Sequence, residues 1–378
     1  MATQEAGIKN RHDAGTNSKG TEEFDTVVIG GGQAGLAVGY YLKKHGRSFV
    51  ILDANDRIGG SWRTRTWNSL RLFTPARYDG LPGWGYPGPG WSYPTARELA
   101  DYLEAYALRF ELPVRSATAV KGLAKEGERY VVDCGERRFV ADNVVVATGF
   151  YGMPSVPDFA SELDPRIVQM HSSEYRDPSQ LRPGGVLLVG AGNSGADIGM
   201  EVAATHRTWL SGRDKGQIPF RIEHPLRRVV VPVLWFVASH VLTMKTPLGR
   251  KIRPHVLEGG APRIRVKSED LLGAGVECVA RTVDAHDGLP VLEDGRVMDV
   301  ANVIWCTGFR QDFSWIEVPI FGDDTQLMHE RGVVTSEPGL YFVGLDFLYS
   351  FTSENVGGVG RDARHIAGRI ASGQAAAP

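Results

Sequence analysis

Val27-Val28-Ile29-Gly30-Gly31-Gly32-Gln33-Ala34-Gly35 decides how this chain folds. The apolar residues Thr26–Ile29 read as a buried strand, and a helical pattern follows the glycines. The glycines satisfy G-x-G-x-x-G. Gly30 permits a tight turn, Gly32 lets the backbone approach a pyrophosphate, and Gly35 lets the helix pack closely on the strand. A pyrophosphate there would sit at a helix N-terminus, where free N–H groups and the helix dipole favour anions. The next apolar run, Phe49–Leu52, ends in Asp53. That is an acid about 20 residues on, where a ribose hydroxyl pair is expected. The glycines alone would fit any tight strand–helix turn. The assignment rests on strand, glycines, helix and acid together.

The same order returns about 160 residues later. Val186-Leu187-Leu188-Val189 runs into Gly190-Ala191-Gly192-Asn193-Ser194-Gly195. Here the following strand, Arg207–Leu210, ends in Ser211-Gly212-Arg213, with no acid at the ribose position. A carboxylate would repel a 2′-phosphate, whereas serine and arginine can hold one. NADPH is therefore expected rather than NADH. Arg213 is expected as the phosphate clamp, with Ser211 assisting and Lys215 within reach. Further short apolar runs, Val144–Ala147, Val303–Trp305 and Tyr341–Val343, read as strands. The fold class is α/β, with two Rossmann-like dinucleotide-binding domains.

The rest of the chain bounds the function. Its 378 residues suggest two or three domains. A formal net charge of −2 offers no basic excess for a phosphate backbone, so nucleic acid is not an expected partner. The 3 cysteines, Cys134, Cys278 and Cys306, form no CxxC pair, which argues against a disulfide framework or a dithiol centre. No HExxH or clustered Cys/His points to a metal. Residues 1–22 read as a disordered polar tail without the apolar stretch of a signal peptide, so a cytoplasmic location is expected. The apolar stretch Arg227–Leu242 is too short for a membrane span and is broken by Pro232 and His240. It reads as a buried helix or packing surface. With Arg227, Arg228 and Lys245 beside it, a lid, a substrate-tunnel wall or a shallow membrane contact is the alternative. The run 229–242 also leaves a homodimer open.

Two dinucleotide sites suit two nicotinamides, or a flavin and a nicotinamide. Arg57-Ile58-Gly59-Gly60-Ser61-Trp62 places a second glycine pair beyond the ribose acid. With that segment the chain resembles the flavin-dependent (FAD/NADPH) monooxygenases, closest to the YUCCA-type plant branch and its bacterial relatives. The resemblance runs from about Phe24 to Ile370. Tyr93-Pro94-Thr95 followed by Asp101–Ala107 is similar to a segment of that group. Val146-Ala147-Thr148-Gly149 and Trp305-Cys306-Thr307-Gly308-Phe309 resemble the two strand ends where such chains cross between domains. Gly339–Gly344 and Gly357–Ala363 resemble the last strand and helix. In related folds that helix N-terminus faces the flavin and stabilises negative charge on it.

The resemblance implies an FAD domain, 23–160 and 300–372, with an inserted NADPH domain, 161–299, carrying its own insertion at about 212–261. It implies insertion of one oxygen atom from O2 into a small organic substrate through a flavin C4a-(hydro)peroxide. An NADPH-dependent reductase or oxidase, passing electrons to a partner or to O2, is the alternative. A non-catalytic FAD-binding protein would have no use for the second fingerprint. The implied cofactor contacts are Gly30, Gly32, Gln33, Ala34, Gly35, Asp53, Gly60, Ser61, Trp62, Ala147, Thr148, Gly149, Thr307, Gly308 and Gly344 for FAD. For NADPH they are Gly190, Gly192, Asn193, Ser194, Gly195, Ser211 and Arg213. Phe73, Thr74 and Asn193 are the implied catalytic positions, and Trp67 is a further candidate for the flavin wall.

Two departures stand out. Of the family motif F-x-G-x-x-x-H-x-x-x-[W/Y/F] only His171 and Tyr175 survive; Pro165 and Ile167 replace the aromatic and the glycine. His171 then orients the nicotinamide cofactor or serves as an ordinary hydrogen-bonded linker residue. The asparagine of animal-type members falls at Phe73, which fits the plant-type pattern better.

Overall fold

Strand β1 (Thr21–Ile29) lies between its two parallel neighbours because its last three residues, Val27, Val28 and Ile29, are apolar and buried on both faces. The computed structural model describes residues 20–149, 152–259, 262–322 and 327–373. The expected tail thus ends earlier than position 22, since Thr21 and Glu22 already pair with Arg138 and Phe139. Residues 1–19 of that tail and residues 260–261 of the expected insertion lie outside the described residues.

From β1 the chain enters helix α1 (Gln33–Lys44) and returns in β2 (Phe49–Leu52), with Val27 opposite Val50. A short helix α2 (Gly60–Thr64) precedes α3 (Ala96–Arg109). Thr95 starts α3 with a capping box: its hydroxyl accepts from Glu98 N, 3.1 Å, and Glu98 accepts from Thr95 N, 2.7 Å. Leu99, Leu103 and Tyr106 recur at helical spacing and are buried in one core with α1. After β3 (Val114–Arg115), the hairpin β4 (Gly122–Glu126) and β5 (Arg129–Asp133) leads into β6 (Arg138–Val146), parallel to β1.

The chain then leaves this sheet through β7 (Met153–Pro154). A second sheet is built from β8 (Val168–His171), β9 (Val186–Val189), helix α4 (Asn193–Val202), β10 (Thr208–Ser211) and, later, β11 (Glu277–Val279). Between β10 and β11 come α5 (Arg227–Phe236), a π-helical turn (Val237–Val241), α6 (Pro247–Gly259) and α7 (Ser268–Gly273). The hairpin β12 (Thr282–His286) and β13 (Leu289–Leu292) precedes β14 (Asn302–Trp305). Among the described residues this sheet has the order β11-β10-β9-β14-β8, every pair parallel.

The return runs through β15 (Phe309–Arg310), paired with β7, to β16 (His329–Glu330), β17 (Val333–Val334), β18 (Leu340–Phe342) and helix α8 (Gly360–Ser372). β18 pairs in parallel with β6, so the first sheet reads β16-β17-β18-β6-β1-β2-β3 with the β4–β5 hairpin attached to β6. Each sheet therefore has a central strand, β1 or β9, whose C-terminal end opens between neighbours reached in opposite directions. Such a crevice is where open α/β sheets take ligands.

Candidate dinucleotide and flavin site

The two glycine loops repeat each other at the level of single atoms. Gly30 and Gly190 have φ of +111° and +117°, a region closed to other residues. Their N–H groups donate to Leu52 O and Ser211 O, both 2.7 Å, which fixes each turn against the next strand. A Cβ on Gly30 would run into Ala147 O, and one on Gly190 into Cys306 O. A Cβ on Gly35 or Gly195 would run into the carbonyl of Gly30 or Gly190. Gly32 and Gly192 differ from all of these, because a Cβ there meets nothing within 4 Å. They are the N-caps of α1 and α4, and neither helix has a side-chain cap. Packing does not explain why they are glycine. Two helix N-termini with free donors and an open approach do, since that geometry can hold a pyrophosphate.

Asp53, buried at the end of β2, faces the first loop. Its Oδ2 accepts from Gly31 N, 2.8 Å, and its Oδ1 from Asn55 N and Nδ2, both 2.7 Å. Gly31 is thereby required as well, because a Cβ would press on Asp53 Oδ2. It fills a variable position of the fingerprint, so pattern matching passed over it. Gln33 accepts from Trp62 Nε1, 3.4 Å, joining α1 to α2, and donates to Glu354 O, 3.5 Å, in the loop before α8. Ala34 lies against Gly344, whose φ is +83°. Gly60 opens α2 and packs on Asn55, beside exposed Ser61. Gln33, Trp62 and Gly344 are thus gathered around the first loop. Ala147 reaches it through its own carbonyl beside Gly30.

The chain crosses between the two sheets at Thr148, Gly149, Thr307 and Gly308. Thr307 donates to Ser155 O. His171 is buried and bonds Gly308 O through Nε2 and Ser173 Oγ through Nδ1, both 2.9 Å. Burial, opposed by the bond to Gly308, lowers its pKa, so the ring is held neutral with Nε2 protonated. Both ring nitrogens are thus engaged at the crossing between the two sheets. From the first half Arg65 donates to Gly152 O, 2.7 Å. From the second, Arg265 donates to Leu72 O, 2.6 Å. Phe73, next to that contact, is exposed at the seam between the halves.

Several expected contacts are corrected. Ser211 is fully buried: its hydroxyl lies 2.8 Å from Ala280 O and 2.7 Å from Thr282 Oγ1, and accepts from Thr282 N. It cannot assist a 2′-phosphate, and of the expected pair only exposed Arg213 faces solvent. Asn193 is neither the helix cap nor a free amide. It donates to Pro262 O, 3.2 Å, and accepts from Ile264 N, 2.8 Å, tying α4 to the segment after the insertion. Ser194 follows it, half-buried in the first turn. Trp67 packs with Tyr175, Val186 and Leu188 in the core of the second half. The Thr74 hydroxyl is spent on Asp79, to which it donates.

Asp79 itself carried no sequence signal. It is 1 % exposed, its Oδ2 has no partner, and burial pushes its carboxyl up to about 7. Cys134, Cys278 and Cys306 are free thiols, and burial pushes Cys306 up to about 12. Among the described residues no group of three or more His, Cys, Asp or Glu could hold a metal ion, and no helix is long and apolar enough to cross a membrane.

Comparison with known proteins agrees with this geometry. Residues 27–220 match the pyridine nucleotide-disulphide oxidoreductase family. An uncharacterized CzcO-like oxidoreductase of Geobacillus kaustophilus is 38 % identical, over 90 % of this chain and 97 % of its own length. The probable indole-3-pyruvate monooxygenase YUCCA3 of Arabidopsis thaliana is 28 % identical, over 92 % of this chain and 86 % of its own. The structure of a flavin-containing monooxygenase from Stenotrophomonas maltophilia superposes with a TM-score of 0.75 at 28 % identity, covering 93 % of this chain and 99 % of that one.

Proposed function

The chain belongs to the pyridine nucleotide-disulphide oxidoreductase family, among its flavin-dependent monooxygenases, and we propose that it is an FAD-dependent, NADPH-consuming enzyme that inserts one oxygen atom from O2 into a small organic substrate. The observation that carries this reading is the duplicated cradle. Gly32 and Gly192 each leave open space at an uncapped helix N-terminus, where a Cβ would obstruct only a ligand.

In this reading the N–H groups opening α1 hold the FAD pyrophosphate, and Asp53 holds the ribose next to it. Gly60, Ser61, Trp62, Ala147, Thr148 and Gly149 line the remaining length. The opening of α4, with Ser194, holds the NADPH pyrophosphate, and Arg213 alone clamps the 2′-phosphate. A bound flavin would supply the activation of O2, and a bound nicotinamide its reducing equivalents. The protein's part is to orient both cofactors across the seam and to keep water from it. Phe73 stands at that seam as an apolar wall. Thr74 acts through Asp79, by holding it in place. The plant relative is named for a 2-oxo acid, so an aromatic 2-oxo acid is the first substrate to offer. Baeyer–Villiger insertion and N- or S-oxygenation follow.

The test is a balance of oxygen. The purified, flavin-loaded protein is given NADPH and a panel of these substrates, and O2 uptake is compared with hydrogen peroxide released. Oxygenated product accounting for most of the O2 consumed supports the proposal. Release of all consumed O2 as hydrogen peroxide with every substrate would instead indicate the alternative oxidase or reductase.

A further inference from the structure

We propose that the helical insertion after β10 is a docking surface for an anionic lipid bilayer. Helix α5 reads Arg-Arg-Val-Val-Val-Pro-Val-Leu-Trp-Phe, yet none of its 10 residues is buried. Leu226, Val229, Val233 and Phe236 fall at spacings of three and four, one face of a helix, and are 57 to 66 % exposed. A contiguous apolar ridge of this kind marks an interaction surface rather than a solvated helix.

Charge decides between the occupants. From His224 to Leu257 the chain carries six Lys or Arg and no Asp or Glu, within a molecule of net charge −2. Arg227 and Arg228 occupy the first turn of α5, where the dipole disfavours cations. Arg227 is held by Glu223 O and Tyr93, but local helix stability does not explain exposed Arg228. A second copy of the same ridge would bring the same cations face to face. An anionic membrane meets both features, because apolar side chains sink into the headgroup boundary while lysine and arginine meet lipid phosphates.

The surface continues onto α8. Phe236 stacks on His240, with ring centroids 4.7 Å apart, and Arg361 reaches both His240 Nε2 and Ser239 O. Arg361, Arg364, His365 and Arg369 then line, with Arg331, a surface cavity of about 410 Å³. The carboxylate of Asp362 is buried behind Arg331, 3.7 Å away. The cavity is suited to a lipid phosphate next to the ridge.

The flavin-loaded full chain is mixed with vesicles of phosphatidylcholine alone or with phosphatidylglycerol added, and bound protein is measured by sedimentation. Binding is expected to the phosphatidylglycerol vesicles only, weakening as salt is raised. Val233→Asp and Arg364→Glu are each expected to lower it about tenfold or more, with flavin absorbance and NADPH oxidation unchanged. Failure of the unsubstituted protein to bind overturns the proposal. So does equal binding to both vesicles, or binding by Val233→Asp equal to that of the unsubstituted protein. A soluble dimer that Val233→Asp dissociates, without vesicle binding, would assign the ridge to a second copy instead.

Discussion

At the scale of single residues, glycines that look alike in the sequence do different things. Gly35 is required by packing, since a side chain would collide with the Gly30 carbonyl. Gly32 leaves only open space. Gly32→Ala is therefore expected to keep the melting temperature of the flavin-free protein and to lose bound flavin. Gly35→Ala should destabilise the flavin-free protein itself, by about 1–3 kcal/mol, as overpacking does. Absorbance of the purified variants and thermal melts separate the two. Arg213→Ala should lower the preference for NADPH over NADH by about tenfold or more, the worth of one charged hydrogen bond. An undiminished ratio of kcat/KM values would remove the clamp.

Asp79 gives a pH test at the same scale. Its carboxyl is raised in the folded protein from the ordinary 3.8 to about 7. Between those values the folded state holds a proton that the unfolded state has released, so this group's contribution to stability falls as pH rises from about 4 to about 7. Asp79→Asn should remove that contribution. The difference in unfolding free energy between variant and unsubstituted protein is expected to grow in favour of the variant across this window, by a few kcal/mol at most. A difference that stays flat with pH would mean that the carboxyl is not held neutral.

At the scale of elements, the Tyr93–Thr95 segment has a double use. Thr95 caps α3, and Thr95→Ala should cost about 1 kcal/mol in chemical denaturation. Tyr93 donates to Ile222 O and lies beneath the guanidinium groups of Arg227 and Arg265, so the same loop holds down the start of the insertion. Further along, Trp235 stacks on Tyr78 with ring centroids 4.8 Å apart, and Met244 N donates to Tyr349 O, 2.8 Å. An element that branches from the second sheet is thereby strapped onto the first half of the molecule. Trp235→Ala is expected to release α5, and limited proteolysis should then cut within residues 226–246 faster than in the unsubstituted protein.

At the scale of the whole molecule, the strands and the two glycine turns were legible because their information is local. Each strand–glycine–helix–strand unit spans about 30 residues, and its steric demands act between neighbours. All six apolar runs from Thr26–Ile29 to Tyr341–Val343 are strands or strand ends. The site was less legible where partners are remote. Ser211 and Asn193 both looked available in their own segments, and both are engaged by residues about 70 positions away. Asp79 follows a short helical turn with no motif, and only packing made it a neutral buried acid.

The α/β class, the two glycine turns and the acid or arginine that follows each are written in the order of residues along the chain. These depend on short-range backbone geometry and on residue types that few alternatives can replace. Tertiary structure alone decided which polar side chains remain free for a ligand, and which apolar helix stays in water. Both depend on what the rest of the chain brings alongside. A hydroxyl bonded by a distant backbone is no longer a ligand. An apolar helix covered on one side only, where Trp235 stacks on Tyr78, is left with an exposed face to offer a membrane.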